Sequence, residues 1–185
     1  SPLLHFLDFR NIPHMIFINK VDHVDATLSD VLAAYQAVSE RPLVMRQVPI
    51  QDGETIKGYV DLISDRAYNY NSGSASDLVE IPTELQESEQ SARMEMLETL
   101  ADFDDDLLTK LIEDVVPPKE EIYQFLKKDI ADDKVVPVLF GSAENEQGVR
   151  RLLKALRHDA PGPEDTAERL GIEAEGEPLA WIFKT

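Results

Sequence analysis

Ile12-Pro13-His14-Met15-Ile16-Phe17-Ile18-Asn19-Lys20-Val21-Asp22 runs from an apolar block straight into a polar tetrapeptide. The block from Ile12 to Ile18 reads as a continuous apolar strand, the pattern of a strand covered on both faces in a parallel sheet. A second block of the same kind, Val135 to Phe140, ends in Gly141-Ser142-Ala143. Loops that follow parallel strands open at the C-terminal edge of the sheet, where α/β folds hold their ligands. Two strand-then-loop signals far apart in the chain therefore point to one pocket.

Working outward, Leu3, Leu4 and Leu7 mark a helix before the first strand. Leu28, Val31, Leu32, Tyr35 and Val38 recur at helical spacing after it, with Thr27 and Ser29 as caps. From Leu43 the period shortens. Leu43 to Ile50 and Ile56 to Ile63 read as two strands joined across Asp52-Gly53, a hairpin signal, and Ala67 to Tyr70 as a third. This region is expected to be antiparallel. Three helical stripes follow: Met94, Leu97, Leu100 and Ala101; then Leu107, Leu108, Leu111 and Ile112; then, beyond Pro117-Pro118, Ile122, Phe125, Leu126 and Ile130. After the second buried strand, Val149, Leu152, Leu153 and Leu156 describe an amphipathic helix that Ala160-Pro161-Gly162-Pro163 stops. An acidic linker leads to Leu179-Ala180-Trp181-Ile182-Phe183, a strand without a partner in the chain. The order predicts an α/β fold carrying an inserted α+β body, and the chain reads as an internal piece of something longer.

The 185 residues are 43% hydrophobic, enough for a sizeable core. No run approaches the ~18 apolar residues of a membrane span, and no basic-then-apolar leader opens the sequence. The absence of cysteine excludes disulfides and thiolate metal sites and is compatible with a cytoplasmic protein. The net charge of -18 argues against direct contact with nucleic acid, because phosphate is repelled over most of the surface. Between Asp77 and Asp133 there are 18 acids against 5 bases. That acidic body is either a solvated helical face or a docking surface for a basic patch.

Asn19-Lys20-Val21-Asp22 resembles N-K-x-D, the guanine-reading loop of GTP-binding proteins, although the tetrapeptide alone is also compatible with an ordinary polar turn. Guanine presents two adjacent donors on one edge, and a carboxylate offers two acceptors at matching spacing, so Asp22 suits both at once. Adenine has an acceptor where guanine has N1–H and would leave the carboxylate unpaired. Asn19 can bridge to the base or hold neighbouring loops together. The stem of Lys20 can lie on the ring while its ammonium stays wet. On the second loop, Ala143 N–H is placed to donate to guanine O6, with Ser142 steadying Asp22.

With these strings in place, nearly the whole chain resembles translation elongation factor G. Ile12 to Asp22 is similar to that family's strand and base-reading loop. Pro137-Val138-Leu139-Phe140-Gly141-Ser142-Ala143, continued by Gln147-Gly148-Val149, is similar to its second base loop and final helix. Gly58-Tyr59-Val60-Asp61-Leu62-Ile63 resembles part of the insertion that sets this family apart. The resemblance implies part of a P-loop-type GTPase domain over 1–39 and 134–160, the inserted acidic subdomain over 40–133, and a linker with the first strand of a barrel over 161–185. It implies GTP or GDP as ligand, the ribosome as partner, and contact of the acidic insertion with the ribosomal stalk protein. It also implies guanine-binding roles for Asn19, Lys20, Asp22, Ser142 and Ala143.

The sequence contains no G-x-x-x-x-G-K-[ST] phosphate loop and no D-x-x-G switch, so Mg²⁺ and the β- and γ-phosphates are expected to be held by residues outside it. His5, His14, His23 and His158 stand in other contexts than the family's catalytic histidine, and the piece is expected not to hydrolyse GTP. Two rival readings remain. One is a non-enzymatic module that binds a basic partner through its acidic arm. The other is a GTPase paralogue acting in ribosome protection or termination. Asp102, Asp104, Asp106 and Glu113 match calcium-loop positions, but Leu107 stands where that loop needs glycine, which favours a helix start. Asp22-His23-Val24-Asp25 is too crowded for a metal site and reads as a lone surface histidine beside the base loop. Trp181 and Phe183 read as core packing.

Overall fold

The computed structural model describes residues 2–23, 27–53, 55–71 and 73–172. The two apolar blocks become β1 (Ile16–Ile18) and β7 (Val136–Phe140), which pair in parallel from Ile16↔Val138 to Ile18↔Phe140. All five residues of β7 are buried, as a strand flanked and covered on every side requires. A third parallel strand, β2 (Leu43–Met45), lies on its other edge, giving the order β1-β7-β2. The helix α1 (Pro2–Phe9) precedes β1, and α2 (Leu28–Gln36) follows it. Thr27 caps α2 through a reciprocal capping box with Asp30. Leu28, Val31 and Leu32 pack on Ile18, Val21, Val138 and Phe140, whereas Tyr35 and Val38 of the expected stripe are exposed.

The second sheet is an antiparallel meander of β3 (Gln47–Asp52), β4 (Thr55–Asp61), β5 (Arg66–Asn69) and β6 (Asp77–Val79). The Asp52-Gly53 hairpin and the strand near Ala67 are as the sequence suggests. The fourth strand is an addition. Leu43 to Ile50 is not one strand. The chain breaks at Arg46, whose N–H donates to Val138 of the parallel sheet and whose carbonyl accepts from Leu62 of the antiparallel one, both at 3.1 Å. Period-two patterning continues through the break, so the sequence hides the change of sheet.

The acidic helices are α3 (Gln86–Ala101), α4 (Asp105–Ile112) and α5 (Lys119–Ala131). Leu97, Leu100, Leu107, Ile122, Leu126 and Ile130 form one core with Val44 and Val135 at the edge of the parallel sheet. The acids outside this core are mostly solvated. Asp104 caps α4 through Asp106 N–H and Leu107 N–H at 3.1 and 3.3 Å, the helix-start role favoured over calcium. Among the described residues no group of His, Cys, Asp and Glu could hold a metal ion, and no helix is long and apolar enough to cross a membrane.

Three further expectations need correction. The strand expected from Ile12 begins only at Ile16, because Pro13 lacks an N–H and His14 turns toward Asp8 and Asp133, 3.7 Å from each carboxylate. The helix α6 (Val149–His158) buries Arg151 and Ala155, while Leu153 and Leu156 are exposed. Arg151 is drawn inward by Asp61 at 2.7 Å, and Asp159, just past the helix, pairs with the fully buried Arg46 at 2.9 Å. Charge pairing, not the leucine stripe, sets the inward face of α6. A short helix, α7 (Pro163–Arg169), stands where a linker was expected, begun by Pro163 and by Asp165 accepting from Gly162 N–H at 2.7 Å. Leu179 to Phe183 and Asp25 lie outside the described residues.

Candidate functional site

The parallel register sets the site. Ile18 and Phe140 are neighbours, so the loops after β1 and β7 leave the sheet side by side. Gly141 N–H donates to Ile18 carbonyl at 3.0 Å, and Val21 N–H to Gly141 carbonyl at 3.3 Å. Glycine is required at 141: a Cβ there would stand 2.2 Å from the Gln147 carbonyl oxygen and 2.9 Å from the Phe17 ring. The second loop is closed by two bonds between Ser142 and Gln147, at 3.0 and 2.9 Å. Gly148 then starts α6 from the left-handed region at φ 74°.

All five residues expected from the sequence stand on these two loops. Asn19 Oδ1 accepts from Ala143 N–H at 2.9 Å, across 124 residues of chain. Asn19 therefore bridges the loops, and the Ala143 N–H expected to meet guanine O6 is engaged by Asn19. Lys20 adopts φ 61°, which turns the chain so that Val21 enters the core and Lys20 stays exposed. Ser142 is fully buried behind the loop.

Asp22 holds the centre. Its Oδ2 accepts from Asn145 Nδ2 at 3.0 Å and lies 3.1 Å from His23 Nε2. Its Oδ1 is shielded from solvent and has no hydrogen-bond donor. The Ser142 hydroxyl beside it holds the Asp22 carboxyl below the usual range, and His23 and Asn145 add to the effect against partial desolvation. The result is an ionised carboxylate standing between the two loops, with Oδ2 steadied by Asn145 and Oδ1 turned away from solvent. An ionised acceptor on one loop, tied by Asn19 to the next, is the chemistry that a base edge carrying N–H donors requires, so the residues present fit a guanine base. The sequence reading placed His23 beside the base loop as a surface histidine, and its Nε2 meets Asp22; it missed Asn145, which carries no signal within Glu144-Asn145-Glu146.

Fold and loop arrangement together define part of a GTPase-type α/β domain, with an α+β body between the loops after β1 and β7. A model of the elongation factor Tu GTP binding domain matches residues 2–162, and the chain belongs to that family of translational GTPases. Within it the chain resembles elongation factor G. It is 47% identical, over its whole length, to an elongation factor G-like protein of Synechocystis sp., and spans 28% of that protein. It is 33% identical to elongation factor G 2 of Desulfotalea psychrophila over 89% of the chain and 24% of the relative. A crystal structure from Thermus thermophilus superposes with a TM-score of 0.74 at 26% identity, covering 88% of this chain and 24% of that one. The chain thus spans about a quarter of the length of the relatives it matches.

Proposed function

We propose that this chain supplies the guanine-reading half of the nucleotide pocket in a translational GTPase resembling elongation factor G, a factor that drives ribosomal translocation in the cytoplasm. The observation that carries the reading is the ionised Asp22 carboxylate standing where the two loops meet, with Oδ2 held by Asn145 and Asn19 bonded to Ala143 across the loops. Asp22 takes N1–H and the exocyclic amine of guanine. Asn19 keeps the two loops in register, Lys20 covers the ring, and Ser142 keeps the carboxylate ionised. Ala143 lets the backbone approach O6, sharing its N–H with Asn19. GTP or GDP is the ligand, and Mg²⁺ and the phosphates are held by other parts of the longer protein.

The acidic insertion serves as the arm that meets the ribosome, with the stalk protein as its partner. Its support is a tip where Leu108, Ile112, Val115 and Val116 are exposed amid Asp105, Asp106, Glu113 and Asp114. An apolar patch inside an acidic rim suits a partner with apolar anchors and basic surroundings.

An amide NMR titration with GDP and then ADP, up to millimolar concentration, tests the pocket. Shifts at Lys20, Asp22 and Ser142 to Glu144 with GDP alone, abolished by Asp22→Ala, support it. Equal responses to GDP and ADP would refute guanine reading.

A further inference from the structure

Asn145 belongs to neither base motif and sits between two glutamates, yet its side chain reaches back from the second loop to Asp22. Its Nδ2 donates to Asp22 Oδ2 at 3.0 Å and lies 3.2 Å from Ser142 Oγ. The backbone beneath it is braced. Glu146 N–H donates to Ala143 carbonyl at 3.2 Å, Glu146 adopts φ 57°, and the paired Ser142 and Gln147 close the turn. Asn145 is thus presented to the carboxylate by a turn that backbone hydrogen bonds close on both sides.

A carboxylate that stands in a solvent-facing loop rotates about Cβ–Cγ, and rotation misaligns its two oxygens with a pair of parallel donors. Fixing one oxygen fixes the plane. We propose that Asn145 is the positioning residue of base recognition: by holding Asp22 Oδ2 it fixes the plane of the carboxylate that meets the donor edge of guanine. The inference rests on the guanine-site reading and adds to it a residue outside both motifs. Oδ2 has lone pairs for Asn145 and for a base donor together. Oδ1 is turned away from solvent, so the plane of the carboxylate is held from both sides before a base arrives.

His23 is the rival for this role, since its Nε2 is 3.1 Å from the same oxygen. Its side chain is 69% exposed, so solvent weakens its hold. Among the described residues, the other charged side chains of the two loops are Lys20 beside Asp22 and Glu144 and Glu146 beside Asn145, all exposed. None of the three is within ion-pair distance of Asp22.

The test compares Asn145→Ala and the isosteric Asn145→Asp with the parent, all in a His23→Gln background so that the rival contact to Oδ2 does not enter. GDP and ADP are titrated from pH 5 to 8 by amide NMR, and the Asp22 carboxyl is titrated by carbon NMR without ligand. Loss of one charge-assisted bond weakens GDP about tenfold in Asn145→Ala and leaves ADP unchanged. Asn145→Asp keeps the loop shape but sets a second carboxylate against Asp22. It is expected to raise the Asp22 pKa and to weaken GDP most at pH 8, with recovery as the pH falls. A residue that only shapes the loop predicts Asn145→Asp to behave as the parent at every pH. If the parent prefers GDP and both variants match it, the positioning role is overturned while the guanine site stands. If the parent shows no preference for GDP over ADP, both fall. Should Asn145→Ala lose the Ser142 and Gln147 signals, the isosteric variant decides alone.

Discussion

Arg46→Ala is the substitution that the structure makes most consequential. Arg46 is fully buried where the chain passes from the parallel sheet to the antiparallel one, and its guanidinium donates to Asp159 at 2.9 Å. It also stands 5.7 Å from the Tyr123 ring. Asp159 is 4% exposed and has no other hydrogen-bonded partner for its carboxylate among the described residues, so truncating Arg46 strands a buried charge. Breaking a buried pair from one side costs about 3–5 kcal/mol, a large part of the ~5–15 kcal/mol typical of a folded domain. In urea, with a slope of about 2 kcal/mol per molar for a chain of this size, the midpoint should fall by about 2 M. Circular dichroism follows the transition. Replacing both partners, Arg46→Met with Asp159→Leu, should recover most of the loss, because neither charge is then left alone. A loss below about 1 kcal/mol for Arg46→Ala, or a double variant as weak as the single one, would refute the reasoning.

Asp129 gives a pH-dependent case. It is 1% exposed, both carboxylate oxygens lack hydrogen-bond donors, and burial raises its pKa from 3.8 to about 6, opposed by Lys134 and Lys128. The folded state therefore holds the proton more tightly than the unfolded chain, and stability is lost as pH rises from about 4 through about 6. Asp129→Asn should gain about 1–2 kcal/mol at pH 7.5 and almost nothing at pH 4, read from urea midpoints at the two values; an equal gain at both would exclude the titration. Gly148→Ala forces a side chain onto φ 74° with its Cβ 2.5 Å from the Phe140 carbonyl oxygen. It should cost at least about 1 kcal/mol in thermal unfolding and blunt the GDP response of the adjoining loop, whereas unchanged behaviour would mean the turn is not constrained. Asp22→Asn turns two acceptors into one acceptor and one donor, so binding should shift from guanine toward xanthine, which carries an oxygen in place of the amine. Retained guanine preference in that variant would remove Asp22 from base reading.

Local chemistry alone settled the elements that bear on the site. An apolar run ending in Asn19-Lys20-Val21-Asp22, and another ending in Gly141-Ser142-Ala143, sufficed to place two loops at one sheet edge. Each run is long enough and apolar enough to require burial, and the register of Ile18 beside Phe140 follows from parallel pairing. The helix stripes through Leu97, Leu107 and Ile122 were legible for the same reason. What tertiary structure decided were the matters that depend on partners distant in the chain. Arg46 ends one strand and lets another begin because Val138 and Leu62 lie on either side of it, which no window of sequence contains. The inward face of α6 is set by Arg151 reaching Asp61 across 90 residues, against the leucine pattern of the helix itself. Asn145 acquires its place over Asp22 in the same way. Periodicity reports how a segment meets solvent; it carries no information about which buried charge or carboxylate oxygen waits on another element, and those pairings shape the site.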